Sequence, residues 1–358
     1  MLYRESGQFK ASYAADQAIF PIAQDRWLAI AAIAAAFIAL PLVGTEYFFQ
    51  AIMIPVLCFS LAAIGLNILT GYCGQLSLGT GGFMAVGAIA CYKLSTGFPE
   101  MNIVIVLLLS GVITAGVGLL FGIPSLRIKG FYLAVATLAA QFFLSWLFNK
   151  VPWFVNYTPS GTITMPPREV FGVLVTGAEA DAGARYLFCL AMVAVLALAA
   201  KNLVRGPIGR SWMAIRDMDI AAELIGFRPF QTKLLAFSVS SFYVGVAGAM
   251  AFALWLGSAE TAEAFDINVS FQVLFMIIIG GLGSILGSFM GAAFIVLMPI
   301  VLTNVMVGGL GLQAVTAKHF EFILFGSLII FFLIVEPHGM ARLWQITKEK
   351  LRMWPFPH

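Results

Sequence analysis

The chain has 358 residues, of which 61% are apolar and only 10% are charged, and its formal net charge is +3. A water-soluble domain carries about 25% charged residues, so this composition, with a mean hydropathy of +0.96, excludes a soluble globular protein and indicates an integral membrane protein. Each membrane-spanning helix needs ~20 apolar residues, so the chain has room for about a dozen spans at most and none for a large soluble catalytic domain.

Apolar stretches long enough for helices recur along the whole chain. They cover residues 28–44, 48–70, 76–94, 101–123, 131–148, 186–204, 234–256, 269–288, 290–307 and 320–335. The sequence therefore predicts an all-α integral membrane protein with about ten transmembrane helices. The third and eighth stretches are rich in glycine. Each is either a broken or re-entrant helix beside a cavity or a helix that packs closely through small residues.

Lysine and arginine are concentrated on one side of the predicted bundle. They cluster in the linker 201–233, at Arg127 and Lys129, and in the tail 336–358. Basic residues near span ends stay in the cytoplasm, so we expect these segments and both termini to be cytoplasmic.

The membrane domain is thereby predicted to cover residues 28–335, after a cytoplasmic segment 1–27. That segment is not read as a cleavable signal, because a signal begins with a short basic region and this one is long and carries several acidic residues. The loop 149–185 faces outward, and its prolines favour an ordered cap or a flexible loop over a further domain.

Ionisable side chains are almost absent from the interior of the apolar stretches. A proton- or ion-coupled carrier accepts the cost of buried charge to build a relay, and the sequence shows no such relay. The catalytic patterns HExxH and GxSxG and the nucleotide-binding Walker A pattern are also missing from the sequence. We therefore expect no catalytic residues, no metal and no cofactor in this chain. Any ATP hydrolysis would require a separate subunit.

Uncharged polar side chains in the predicted spans are candidates for the path of a polar solute. They are Asn67, Gln75, Ser77, Thr80, Gln272 and Ser284. Each of them can alternatively tie neighbouring helices together, which is a common role for such residues. The run 67–79 concentrates polar residues and glycines where two spans meet. It favours a turn with exposed backbone on the cytoplasmic side, suited to shape an inner gate.

The cytoplasmic linker carries the pattern of a short amphipathic helix from Arg210 to Ile225, ended by Gly226. Basic amphipathic helices commonly lie on the membrane surface. Acidic residues are interleaved with the basic ones here, which weakens lipid binding and favours docking into a groove on a protein.

This linker resembles the loop of ABC importer permeases that inserts a short helix into an ATP-hydrolysing subunit. Ala221, Ala222, Glu223 and Gly226 match its motif. More specifically, the chain resembles the LivM-type permeases of branched-chain amino acid importers, a family that also includes urea and amide importer permeases. The other matching motifs lie at residues 70–79, 122–134, 233–237, 280–287 and 336–339. Thr80 stands where the family often has a histidine, which leaves the solute open.

The resemblance implies an ABC importer permease fold and a complex in a bacterial inner membrane. The implied partners are a second, LivH-like permease, two LivG- and LivF-like ABC ATPases that hold ATP and Mg, and a periplasmic solute-binding protein. Membrane lipid surrounds the bundle, and no nucleic acid is implied. On this reading Glu223 and its motif transmit closure of the ATPases, while Arg210, Arg216 and Asp217 set the docking by charge.

The sequence thus predicts a permease subunit for a small amino acid or amide-like solute. Branched-chain amino acids are the first expectation, while urea, short amides and aromatic acids stay open. A self-sufficient secondary carrier or channel for a small polar solute is the alternative. It predicts transport by this chain alone, without ATP.

Overall fold

A computed structural model describes residues 12, 23–126, 132–158, 160–177, 179–309, 311, 313–335 and 339–353. The residues outside this description include most of the predicted segment 1–27, the motif residues from Arg127 to Phe131 and from Glu336 to His338, and residues 354–358 of the tail. Every predicted apolar stretch overlaps a helix.

The helices are numbered in chain order, and π turns extend several of them. They are α1 (Ala23–Ala34, continued by Ala35–Ala39 and Leu40–Val43), α2 (Phe48–Met53, Ile54–Asn67 and Ile68–Tyr72), α3 (Thr80–Gly97), α4 (Ile103–Ser125), α5 (Tyr132–Lys150), α6 (Ala182–Arg205), α7 (Pro207–Asp217), α8 (Asp219–Leu224), α9 (Pro229–Met250, continued by Ala251–Leu256), α10 (Thr261–Ala264), α11 (Ile267–Gly280), α12 (Ile285–Thr303, continued by Asn304–Gly309), α13 (Ala314–Val335) and α14 (Gly339–Met353).

Seven of these helices are long and apolar enough to cross a membrane within the described part of the chain: α1, α2, α4, α5, α6, α9 and α12. Long apolar runs fold as helices because a bilayer offers no partners for backbone N–H and C=O groups. The other predicted stretches correspond to α3, α11 and α13, so the predicted count of about ten spans is not confirmed. Helix α11 has 14 residues and is ~21 Å long, shorter than the ~30 Å hydrocarbon core.

Helices α2 and α9 form the centre of the bundle. Helix α9 packs most extensively against α4, α3 and α2. Glycines allow the closest of these approaches: a Cβ on Gly87 of α3 would lie 2.7 Å from the carbonyl carbon of Gly245 in α9. Small residues at such crossings let two backbones meet, which is a main source of helix association in membranes.

This packing predicts that Gly87→Ala destabilises the protein. The added methyl group has no space beside Gly245, and overpacking costs about 1–3 kcal/mol. Gly116→Ala is the matched control, because nothing lies within 4 Å of a Cβ at that position of α4. Thermal unfolding in detergent should show a lower Tm for Gly87→Ala and an unchanged or higher Tm for Gly116→Ala. Equal Tm values would contradict the close contact.

The two glycine-rich stretches have different outcomes. The third is non-helical over residues 76–79 and then forms the continuous, closely packed helix α3. The eighth is broken over residues 281–284, because Gly281 and Gly283 have φ values of 121° and 75°, which a helix cannot accommodate. The predicted boundary between the eighth and ninth stretches, near residue 289, is therefore wrong. The chain breaks there several residues earlier, and α12 already begins at Ile285.

The predicted outward loop 149–185 is an ordered cap in its described part. It contains a 3-10 turn at Pro152–Val155 and three strands, β1 (Thr162–Thr164), β2 (Arg168–Val170) and β3 (Val173–Thr176). Strand β1 pairs antiparallel with β4 (Ser258–Glu260), and β2 pairs with β3 as a hairpin. The all-α prediction holds for the bundle but missed these four strands, which are too short to show a period in the sequence.

The predicted coupling helix from Arg210 to Ile225 is wrong as a single element. The structure has two helices, α7 and α8, separated at Met218, whose backbone is extended with φ −158° and ψ 95°. The turn redirects the chain, so that α8 does not continue the apolar face of α7.

Candidate functional site

Two helix breaks and the linker meet at one end of the bundle. The first break is residues 73–79, the second break is residues 281–284, and the coupling loop is residues 201–233. The Arg216 guanidinium at the end of α7 donates from Nη1 to the carbonyl oxygen of Gly71, at 2.9 Å, directly before the first break. The coupling loop is therefore in contact with the end of α2. The predicted turn over residues 67–79 is shorter in the structure, because residues 67–72 are helical and only residues 73–79 are not.

Asn67 joins the end of α2, ahead of the first break, to the second break. Its buried side chain donates from Nδ2 to the Ser284 carbonyl at 2.9 Å and to Ser288 Oγ at 2.9 Å, and the longer contact to the Gly281 carbonyl is 3.4 Å. Its Oδ1 accepts from the Gly283 N–H at 2.8 Å. Both ends of the Asn67 amide are thus committed to backbone and side chains of the second break and α12. These contacts agree with the alternative role predicted for Asn67, which is to connect neighbouring helices.

Arg216 and Asp217 face different surroundings although they are neighbours. Arg216 Nη2 lies 2.8 Å from Asp217 Oδ1, and the two side chains are 38% and 65% exposed. Arg216 reaches inward to Gly71, whereas the Asp217 carboxylate faces the solvent side. Gly74, with φ 70°, lies beside Arg216, where a Cβ would be 2.9 Å from Arg216 Cγ. A larger residue at this position would press on the Arg216 contact.

The coupling tip is the exposed apolar surface around α8, made of Met218, Ile220, Leu224 and Ile225. These side chains are 66%, 75%, 85% and 75% exposed, respectively. Glu223 is exposed beside them, and Ala222 is buried underneath at 2%. Clustered apolar side chains in a polar loop are unfavourable in water and mark an interaction surface.

The base of the coupling loop is fixed to the bundle. Trp212 of α7 is fully buried and donates from Nε1 to the Thr232 carbonyl at 3.2 Å. Lys233 Nζ lies 2.8 Å from Asp219 Oδ2 at the start of α8. Arg210 is exposed on α7, and Gly226 ends the loop helix with φ 99°. The coupling tip is therefore held on a support that is fixed to the bundle. Ala221 of α8 is half-buried.

The start of α3 is capped by side chains from two other helices. Gly81 N–H donates to Ser270 Oγ of α11 at 2.8 Å, and Gly82 N–H donates to Gln141 Oε1 of α5. Gln141 also donates to the Phe265 carbonyl at 3.0 Å. These bonds satisfy N–H groups that a helix start leaves unpaired. Gln141 and Ser270 were not among the predicted site residues, because a lone polar residue in a span carries no positional signal.

The residues predicted to line a solute path fall into two groups, which differ in burial and in side-chain hydrogen bonding. Ser77 and Thr80 are buried beside the start of α3, and Ser284 caps α12 by accepting from the Gly287 N–H at 3.0 Å. Gln75 and Gln272 are half-buried, and their side-chain amides have no hydrogen-bond partner among the residues that the structure describes. Their assignment to a solute path stays a prediction.

The four cysteines are buried free thiols, as the sequence predicted. Cys73 follows α2 directly, and burial raises the pKa of its thiol to about 12. The thiol is therefore protonated and unreactive at neutral pH.

A bundle of apolar helices with polar breaks and an amphipathic loop at one end fits a multi-pass membrane permease. The chain belongs to the family described as the permease component of the branched-chain amino acid transport system, whose model matches residues 48–333. This confirms the resemblance found in the sequence.

Two curated relatives agree with this assignment. The chain is similar to the high-affinity branched-chain amino acid transport system permease protein LivM of Salmonella typhimurium and of Escherichia coli. Each match is 27% identical over 315 residues, which is 82% of this chain and 69% of the relative. No solved structure matches the chain significantly.

Proposed function

We propose that this chain is the transmembrane permease subunit of an ATP-driven importer in a bacterial inner membrane, with both termini in the cytoplasm. The solute is a small neutral or zwitterionic amino acid or amide-like molecule, with branched-chain amino acids first, as the printed names of the relatives indicate. The coupling tip is the observation that carries the proposal. An exposed apolar surface on a rigidly held loop fits a groove on another protein.

The energy for transport comes from partner chains. The sequence has no Walker A pattern, so ATP hydrolysis requires other chains. On the family resemblance these are two ABC ATPases, which hold ATP and Mg. A second, LivH-like permease completes the membrane part. A periplasmic solute-binding protein docks on the ordered cap, where Phe171 at the tip of the β2–β3 hairpin is fully exposed.

Arg216 transmits the motion of the coupling loop to both helix breaks. Its contact with Gly71 connects α7 to the first break, and Asn67, one turn before Gly71 on α2, connects that position to the second break. A displacement of α8 by an ATPase therefore moves two non-helical segments together. Non-helical segments at helix ends are suited to open and close a path, because few backbone hydrogen bonds must break.

Reconstitution separates this proposal from the alternative of a self-sufficient carrier or channel. Co-expressed with the other predicted subunits, the chain should copurify with two ATPase chains and a second permease. Proteoliposomes of that complex should take up labelled leucine only with ATP on the ATPase side and binding protein on the other. Uptake of leucine by this chain alone, driven by a gradient without ATP, would overturn the proposal.

A further inference from the structure

Helix α14 follows closely on the apolar helix α13 in the chain. Helix α13 ends at Val335, and α14 starts at Gly339, so the link spans ~14 Å at most. Gly339 packs on the second break, where a Cβ would lie 2.6 Å from the Ile279 carbonyl oxygen and 2.7 Å from the Gly281 nitrogen. The second break is joined through Asn67 and Gly71 to the coupling loop. Helix α14 is therefore at the same end of the bundle as that loop.

The exposed surface of α14 carries both polar and large apolar side chains. Its polar residues Arg342 and Gln345 line a cavity of about 430 Å³ against the second break, together with Ser284. Its large apolar residues Leu343 and Trp344 are 45% and 43% exposed, whereas Ala341 is buried and Met340 packs on the core. Exposed apolar patches rimmed by polar residues mark surfaces that bind proteins or membranes.

The charges of α14 complement an anionic surface. Its sequence contains Arg342, Lys348, Lys350 and Arg352 against the single acid Glu349. At helical spacing, Lys348 and Lys350 flank the face that carries Leu343 and Trp344. Basic side chains beside an apolar face extend toward phosphate headgroups, and tryptophan is enriched at the membrane interface.

We propose that α14 lies in the headgroup region of the cytoplasmic leaflet and binds anionic phospholipid. Leu343 and Trp344 insert between acyl chains, and the flanking lysines hold phosphate groups. Amphipathic helices of this composition bind in the interface plane by combining buried apolar area with attraction to anionic lipid. The choice of the cytoplasmic leaflet rests on the proposed orientation of the chain and not on ATP coupling.

A protein partner fits this face less well than lipid. The coupling loop, which has the features of a protein-docking segment, interleaves Asp217, Asp219 and Glu223 with its basic residues. Helix α14 has an excess of basic residues and follows directly on an apolar helix. Attraction of basic segments to anionic leaflets is a general effect of membrane electrostatics.

Quenching of Trp344 by brominated lipid tests the proposal on the full chain in phosphatidylcholine bilayers. The chain has 7 tryptophans, so the Trp344 signal is the difference between the wild type and Trp344→Phe. Brominated phosphatidylglycerol should quench this signal roughly tenfold more effectively than brominated phosphatidylcholine at equal content. Lys348→Glu/Lys350→Glu should reduce the preference at least about fivefold, and Lys150→Glu, at the opposite end of the bundle, should not.

Spin labels distinguish lipid from a protein cover. The native cysteines are buried, so Leu343→Cys and Gln345→Cys can be labelled selectively. A label at position 343 should be accessible to oxygen and one at 345 to a water-soluble nickel chelate. The proposal is wrong if Trp344 is not quenched, if quenching ignores lipid charge, or if position 343 is shielded from both probes in the assembled transporter.

Discussion

Leu224→Arg is expected to abolish ATP-driven uptake by the assembled transporter. Leu224 is the most exposed side chain of the coupling tip at 85%, so the isolated chain should fold normally with arginine there. In the proposed complex this side chain is buried in an ATPase groove, and losing a central contact of that kind costs ~2 kcal/mol or more, which is about thirtyfold in affinity. Copurification of the ATPases and uptake of labelled leucine are the measurements.

Two further variants define the docking surface. Glu223→Arg reverses the charge of the matching motif and should lower ATPase activity and uptake together without unfolding the chain. Glu46→Arg makes the same exchange at an exposed position between α1 and α2 and should leave ATPase binding unchanged. If Leu224→Arg and Glu223→Arg both bind ATPases and transport like the wild type, the coupling tip is not the docking surface.

Arg216→Ala is expected to uncouple ATP hydrolysis from uptake. The variant keeps the whole coupling tip, so the ATPases should still bind and hydrolyse ATP. It loses the contact to Gly71 that connects α7 to the first break, so leucine moved per ATP should fall about tenfold or more, corresponding to ~1.4 kcal/mol of lost coupling. The measurement is the ratio of uptake to phosphate release in one proteoliposome preparation.

Arg216→Lys is the matched variant for this prediction. Lysine offers one donor for the Gly71 carbonyl but not the planar fork that also engages Asp217, so it should restore part of the ratio. A purely structural role of Arg216 would lower Tm, uptake and hydrolysis in parallel. An unchanged ratio in Arg216→Ala would show that the motion reaches the breaks by another route.

The membrane helices were predictable because the bilayer imposes a strict local rule. A run of apolar residues such as 48–70 or 234–256 has to satisfy its own backbone, so it becomes a helix wherever it lies in the bundle. The coupling motif was also visible, since Ala221, Ala222, Glu223 and Gly226 are close together in the chain. Its division at Met218 was not visible, because an extended residue between two helical turns leaves the apolar spacing almost unchanged.

The position of the second break shows why local pattern was insufficient. Residues 269–288 read as one apolar segment, and the glycines allowed either a break or close packing. Positive φ at Gly281 and Gly283 fixes the break, and the Asn67 side chain holds it from another helix. The hydrogen bond from Gly283 to Asn67 joins residues 216 positions apart, beyond any periodic signal.

The sequence by itself determined the membrane class of this protein, the approximate positions of its long apolar helices and the family to which it belongs, since all three depend on residues that are neighbours in the chain. Only the tertiary structure decided what single polar residues do. Arg216 lies in a charged, amphipathic loop and looks like a docking residue, yet its guanidinium bonds to a carbonyl 145 residues away. Inside the bundle, where Asn67 is buried, an unpaired polar group is costly, so three-dimensional packing selects the partners of such residues.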